Sequence, residues 1–247
     1  MIDLHCHILP GVDDGSATDE ESCMMARLAV DSGVTAIAAT PHCNVPGQFR
    51  NDCSETLRQR VSHLNELLRQ NQIPLKLYTG MEVYVTPEVP QLIRQGKLLP
   101  LGDSHYLLVE FGFDESRRFA GQMLDAIRKE GLTPVIAHPE RYRFVQAERE
   151  CLLRWMDEGY VIQINKGSLF GMFGRGAARI ANWCLGEGCL HLIGSDAHSP
   201  FRRTTRLEDV WDYAADCDSP EIADFLLEGN PARILRDQPV RPVLAEF

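Results

Sequence analysis

The sequence contains no run of 18 consecutive apolar residues, so no membrane-spanning helix is expected. It has no basic-then-apolar leader, and cleaving one would remove His5 and His7, so the expected location is cytoplasmic. Positive charge is scarce. Lys and Arg number 25 against 35 Asp and Glu, a formal net charge of -10, which disfavours nucleic acid or an anionic membrane surface as partner. None of the eight cysteines, at 6, 23, 43, 53, 151, 184, 189 and 217, forms a Cys-x-x-Cys pair, which argues against a zinc knuckle. They read as free thiols, mostly buried as small apolar groups, with Cys6 pointing away from its two histidine neighbours. No G-x-G-x-x-G follows the first predicted strand and no G-x-x-x-x-G-K-[ST] occurs, so a nucleotide-binding sheet has little support.

What is present is a repeating pattern. Strand-like apolar runs fall at 1–4, 34–40, 75–85, 105–110, 132–137, 160–164 and 189–194, with helical patterns between them. Thr18-x-x-Glu21 reads as a capping box opening the first helix, and Leu57, Val61, Leu64 and Leu68 recur at helical spacing in the second. In the helical tail, Asn230-Pro231 reads as an N-cap followed by Pro in the first turn. With 44% hydrophobic residues and no Pro/Gly/Ser linker, residues 1–247 read as one α/β domain, a closed or nearly closed parallel barrel of seven βα units. An open doubly wound sheet is the alternative.

Polar residues gather at the predicted strand ends. His5, His7 and Asp14 follow the first strand, and Gly15 reads as a tight-turn residue beside them. His42 follows the second strand, Glu82 lies on the third, Glu110 ends the fourth, and His138 follows the fifth. Asp196 and His198 follow the seventh. In a βα barrel those ends share one rim, where active sites lie. His5 and His7, one residue apart on a strand, face the same way. Nine candidate ligands exceed the needs of one ion, so two or three divalent cations are expected, with Glu82 as the natural bridge. Histidine and carboxylate without thiolate suit Mn, Fe or Zn rather than Ca. Arg141 and Arg203 lie just beyond His138 and His198, and a guanidinium fork matches phosphate oxygens. A surface arginine paired with an acid, such as Glu140, is the plainer alternative, stronger for Arg203 or its neighbour Arg202 than for Arg141, which adjoins a ligand. His63, His105 and His191 fall mid-helix or at strand starts and are left out of the site.

The run His5-Cys6-His7 with Asp13-Asp14-Gly15 resembles the polymerase-and-histidinol-phosphatase (PHP) superfamily. The stretches Ala39-Thr40-Pro41-His42, Ala137-His138-Pro139-Glu140-Arg141-Tyr142, Gln163-Ile164-Asn165-Lys166-Gly167-Ser168-Leu169 and Gly194-Ser195-Asp196-Ala197-His198 narrow the resemblance. Together they are similar to bacterial PHP-type protein tyrosine phosphatases of capsule and exopolysaccharide operons. The resemblance implies a distorted (β/α)7 barrel with a trinuclear site, often manganese-loaded. By position, one metal takes His5, His7, Glu82 and Asp196, a second Glu82, Glu110 and His138, and a third Asp14, His42 and His198. Arg141 and Arg203 match phosphate-binding arginines, and the implied substrate is an autophosphorylated bacterial tyrosine kinase that controls polysaccharide export.

The chemistry this implies is phosphomonoester hydrolysis by cation-activated water. A cysteine nucleophile is not expected, because no Cys-x5-Arg loop occurs. Three other readings stay open: a histidinol-phosphate or other small phosphomonoesterase, an amidohydrolase, and an idle barrel that only binds phosphotyrosine. The amidohydrolase would want a metal-bridging lysine where Glu82 and Glu110 stand. The variable loop at 43–50, with Phe49 as a lid over a phenyl ring or as a loop anchor, is expected to read what carries the phosphate.

Overall fold

A computed structural model describes residues 1–243. Its parallel strands are β1 (Ile2–Cys6), β2 (Ala36–Ala39), β3 (His42–Cys43), β4 (Lys76–Thr79), β5 (Glu82–Tyr84), β6 (Tyr106–Glu110), β7 (Thr133–Ala137), β8 (Val161–Asn165) and β9 (Leu192–Gly194). They form two sheets, ordered β1-β2-β4 and β3-β5-β6-β7-β8-β9. The second and third predicted strands are each broken in two, at Thr40-Pro41 and at Gly80-Met81, and their halves join different sheets. At the first break, Pro41 has no N–H to continue a ladder. The described residues thus supply seven strand positions. The last returns to the first through a bridge between Cys6 and Ala197, with His7 N–H donating to Ala197 O at 2.9 Å and Asp196 N–H to His5 O at 2.8 Å. This is the distorted α/β barrel the motifs imply.

Pairing between β1 and β2 runs Asp3 to Ile37 and then Cys6 to Ala39, so β1 carries one extra residue. Such a bulge re-aims the side chains that follow it. Leu4 joins an inner apolar cluster with Ala38, Leu108, Val135, Val161 and Leu192. Beyond the bulge, Cys6 instead packs in the outer core with Ile37, Ala39 and Leu107, which frees His5 and His7 for the opposite face. The inner cluster is floored by Ile234 of the C-terminal helix Asn230–Leu235. The outer core fills the space between strands and surrounding helices and extends from Cys6 to Val243.

The helices follow their sequence signals with two exceptions. Thr18 Oγ1 accepts from Glu21 N–H at 3.3 Å, but Glu21 Oε2 reaches Ala17 N–H at 2.9 Å, one residue earlier than a capping box requires. Asn230 does not cap: Gly229 before it is already helical, and the buried amide Nδ2 donates to His191 O and Arg241 O, both at 2.7 Å. All eight cysteines are free, five of them buried. No helix among the described residues is long and apolar enough to cross a membrane.

Candidate metal centre

The nine candidate residues converge at one end of the barrel. His42 and Glu82 are direct partners in the β3–β5 pairing, and Tyr84 and Glu110 in the β5–β6 pairing, so adjacent strands deliver adjacent ligands. His138 and Asp196 follow β7 and β9 with φ of 37° and 49°, left-handed conformations that side chains other than Gly rarely adopt. These turns bring each side chain over the barrel end. Gly15 lies against the same site, but close approach rather than a positive φ explains it. A Cβ there would stand 2.2 Å from His7 O and 2.5 Å from His7 Cβ. Gly194 is also confined, since a Cβ would lie 2.8 Å from His5 Cβ.

Glu82 is the hub. Its Oε1 stands 2.8 Å from His138 Nε2 and 3.2 Å from His5 Nε2, and its Oε2 3.1 Å from His42 Nδ1 and 3.3 Å from His7 Nε2. Asp196 Oδ1 faces both His5 Nε2 and His7 Nε2 at 3.5 Å. Asp14 Oδ1 faces His198 Nε2 at 3.5 Å and His42 Nε2 at 3.6 Å. Three groups have ligand atoms within 4.8 Å of one another: His5, His7, Glu82 and Asp196; His7, Asp14, His42 and His198; and His42, Glu82 and Glu110. The first is the set the family pattern implies for one metal, and the second adds His7 to the implied third. In the remaining group His42 takes the place assigned to His138. The β3–β5 register sets His42 Nδ1 3.1 Å from both Glu82 and Glu110, whereas His138 Nε2 is 3.8 Å from Glu110.

Buried donors test whether cations fit. His5 Nε2, His7 Nε2, His42 Nδ1 and Glu82 Oε2 are buried without a hydrogen-bond partner, an arrangement a folded protein otherwise avoids. A cation among these atoms would satisfy them, and the nitrogen and carboxylate donors suit a transition metal. The charges on the protein point the same way. Burial favours the neutral forms of these groups, yet the attraction of Glu82 and Asp196 raises His5 to about 9, and the hydrogen bond to Asp13 with the facing carboxylates of Asp196 and Glu82 holds His7 well above its usual value. Burial likewise opposes ionisation of Glu82 and Asp196, but the facing histidines hold both carboxyls well below their usual range. The hydrogen bond from His198 takes Asp14 down to about 2.

A surrounding set of residues orients the donors, and the sequence reading gave them no role. Asp13 Oδ2 accepts from His7 Nδ1 at 2.7 Å and from His42 N–H at 2.9 Å. The sixth predicted strand, which offers no titratable ligand, supplies two amides. Gln163 Oε1 pairs with His5 Nδ1 at 2.9 Å, and Asn165 Nδ2 donates to Asp196 Oδ2 at 2.5 Å. Such contacts fix ring tautomers and carboxylate orientation. The spacing Gln163-x-Asn165 on one strand face was the available signal. Glu140 does not pair with Arg141; it is buried and accepts from Asn165 N–H and Ser168 Oγ.

Both arginines reach the site. Arg203 Nη2 lies 2.5 Å and Arg141 Nη1 3.5 Å from Asp196 Oδ2, and the buried Arg203 Nε has no partner. Aromatic faces hold them: Arg141 sits 4.4 Å from the Phe113 centroid and 4.3 Å from Phe173, with Arg203 5.5 Å from Phe173. Phe49 stacks on His42 with 5.9 Å between centroids and 7° between planes. Its loop borders a cavity of about 580 Å³ against Thr86–Glu88. The three excluded histidines lie elsewhere: His63 faces Asp19, His105 pairs with Asp237, and His191 accepts from Ile162 N–H.

A family model described as capsular polysaccharide synthesis, CpsB/CapC, matches residues 1–236. The chain belongs to the CpsB/CapC family. Its resemblance to PHP-type phosphatases, read from the motifs, is borne out. Among relatives, the tyrosine-protein phosphatase YwqE of Bacillus subtilis is 35% identical over 240 residues, 97% of this chain and 93% of YwqE. The tyrosine-protein phosphatase CpsB of Streptococcus pneumoniae is 30% identical over 243 residues, 96% of this chain and 99% of CpsB. A solved structure from a study of YwqE and CpsB as metal-dependent tyrosine phosphatases superposes with TM-score 0.87 at 34% identity, covering 98% of this chain and 99% of that one. The lactonase Lmo2620 of Listeria monocytogenes shares the fold at TM-score 0.61 and 11% identity, covering 95% and 94% of the two chains.

Proposed function

We propose that this CpsB/CapC chain is a single-domain, cytoplasmic, metal-dependent protein tyrosine phosphatase. Its substrate is phosphotyrosine on a bacterial tyrosine kinase that regulates capsular or exopolysaccharide synthesis. The observation that carries the reading is the cluster of buried histidine nitrogens without a hydrogen-bond partner around Glu82, with two aromatic-braced arginines beside it. His5, His7, Asp14, His42, Glu82, Glu110, His138, Asp196 and His198 would hold two or three divalent ions, manganese foremost, with iron and zinc as alternatives. When bound, such ions supply Lewis acidity and offset the charge of a phosphate.

The residues of this chain do the rest. Asp13 and Gln163 keep His7 and His5 in the tautomers that present Nε2 to the centre. Arg141 and Arg203 bind the equatorial phosphate oxygens as charge grows on them. Phe113 and Phe173 restrict the guanidinium groups, so little freedom is lost on binding. Tyrosine leaves with a pKa of about 10, so a strong general acid is not essential. Cys6 and Cys43 are unsuited to attack: burial pushes the first thiol well above its usual value and the second to about 12.

The test compares hydrolysis of a phosphotyrosine peptide, p-nitrophenyl phosphate and histidinol phosphate by manganese-loaded protein. Preference for the peptide is expected. Preference for histidinol phosphate would leave a metallophosphatase of another substrate, and no hydrolysis of any would leave a binding barrel.

A further inference from the structure

Among the described residues six large apolar side chains are conspicuously exposed, and four of them, Phe113, Phe170, Met172 and Phe201, line two pockets beside the arginines. One pocket, of about 290 Å³, is walled by Phe113, Arg141, Arg143 and Phe173. The other, of about 280 Å³, is walled by Phe170, Met172, Phe173, Phe201, Arg202 and Arg203. Phe173 is their common wall, with Arg141 on one face and Arg203 nearby. Concentrated apolar exposure of this kind marks a binding surface.

The charge at this surface runs against that of the chain. Net charge overall is -10, yet the two pockets carry Arg141, Arg143, Lys166, Arg202 and Arg203 against Asp209 alone. Most of these cations are engaged. Arg141 and Arg203 face Asp196, Arg143 pairs with Asp114 at 2.8 Å, and Lys166 donates to Arg206 O beside Asp209. Arg202 uses its backbone in the turn with Ser199, but its guanidinium meets no acid among the described residues. It stands next to Phe201, which is 76% exposed.

We infer that the pocket walled by Phe170, Met172, Phe201 and Arg202 is a subsite for the peptide beside the phosphotyrosine, and that it selects an acidic residue next to a bulky apolar one. The inference rests on the phosphatase reading and deepens it. Arg202 supplies the opposite charge, and the exposed rings and thioether cover the apolar side chain. An exposed ion pair and a partly buried side chain together correspond to about tenfold in affinity. Phe173 keeps the subsite next to the arginines, so engagement of the flanking residues also positions the phosphate.

The test uses three fluorescent peptides bearing a non-hydrolysable phosphonate analogue of phosphotyrosine, flanked by Glu and Leu, by Gly and Ala, or by Lys and Leu. Anisotropy on manganese-loaded protein should rank the Glu–Leu peptide about tenfold above the Gly–Ala peptide. Arg202→Glu should reverse the order of the Glu and Lys peptides, and Phe201→Ser should shrink the advantage of Leu. Both residues are on the surface, and circular dichroism checks that the fold is kept. Equal affinities for all three peptides, or a preference that neither variant alters, overturns the inference. Hydrolysis of p-nitrophenyl phosphate by the same preparation separates the failures. With hydrolysis intact, a flat preference removes only the subsite; without hydrolysis, the phosphatase reading falls and takes the subsite with it.

Discussion

Along β6, Leu108 and Glu110 are two residues apart and both buried, yet they belong to opposite environments. Leu108 lies in the inner apolar layer with Leu4, Val135 and Val161, floored by Ile234. Glu110 lies among histidines and carboxylates, several of whose buried polar atoms have no hydrogen-bond partner. The lower layer is consistent at every level, since apolar alternation, parallel pairing and close packing ask for the same side chains. The upper layer breaks the rule that buried polar groups are satisfied, and it adds left-handed His138 and Asp196. The expectation is that stability rests on the lower layer and the proposed chemistry on the upper.

Substitutions in the two layers should therefore separate activity from stability. His5→Ala, His42→Ala or Asp196→Ala should each lower kcat/KM by about a thousandfold or more, around 4 kcal/mol or above, with manganese present. Chelation should abolish activity and manganese should restore it. Full activity in a sample shown metal-free by elemental analysis would sink the metal centre. Leu108→Ala should show the opposite pattern, losing about 2–5 kcal/mol of unfolding free energy with turnover per folded molecule nearly kept. A Leu108→Ala protein of normal stability but poor turnover would mean that the two layers are not separable.

The ends also differ in their response to acid. At the opposite end, burial lowers His191 from 6.5 to about 4, so it is neutral in the fold while the unfolded chain takes up a proton. Its contribution to stability is complete above pH 6.5 and is lost as pH falls towards 4, by up to about 3 kcal/mol. Chemical denaturation of His191→Asn should show a weaker loss over that window, and an identical loss would clear His191. In the candidate metal centre the sign reverses. His5, raised to about 9, stabilises the metal-free protein below pH 6.5, and that contribution disappears as pH rises through 9. Metal binding at pH 7 should therefore release protons, which titration calorimetry in buffers of different ionisation enthalpy would detect.

The smallest effects sharpen the boundary of the site. Phe49→Ala, which removes the ring stacked on His42, should raise KM for a phosphotyrosine peptide by a modest factor and spare a small alkyl phosphate. Equal losses on both substrates would make Phe49 a brace for His42 rather than a lid. Cys43→Ser should keep turnover within about tenfold, or about 1.4 kcal/mol, because its buried thiol resists ionisation. An inactive Cys43→Ser protein with normal metal content would reveal a missed nucleophile.

The sequence by itself determined the alternation of strands and helices, the rim on which the nine residues meet, and the exclusion of His63, His105 and His191. These follow from local periodicity and from the rule that parallel strands place all their C-terminal ends together. Tertiary structure alone decided the rest. The β1 bulge, a matter of pairing with β2, turns His5 and His7 into the barrel after Leu4. The β3–β5 register gives His42 a place between Glu82 and Glu110, and Asn230 joins His191 O to Arg241 O instead of capping a helix. Gln163 acquires its role only where β1 brings His5 against it, and Asn165 only once β8 stands beside β9 and Asp196. Each of these depends on which backbone lies alongside which, over separations of 11 to 158 residues, and a pattern read along one segment carries no information about its neighbour across the sheet.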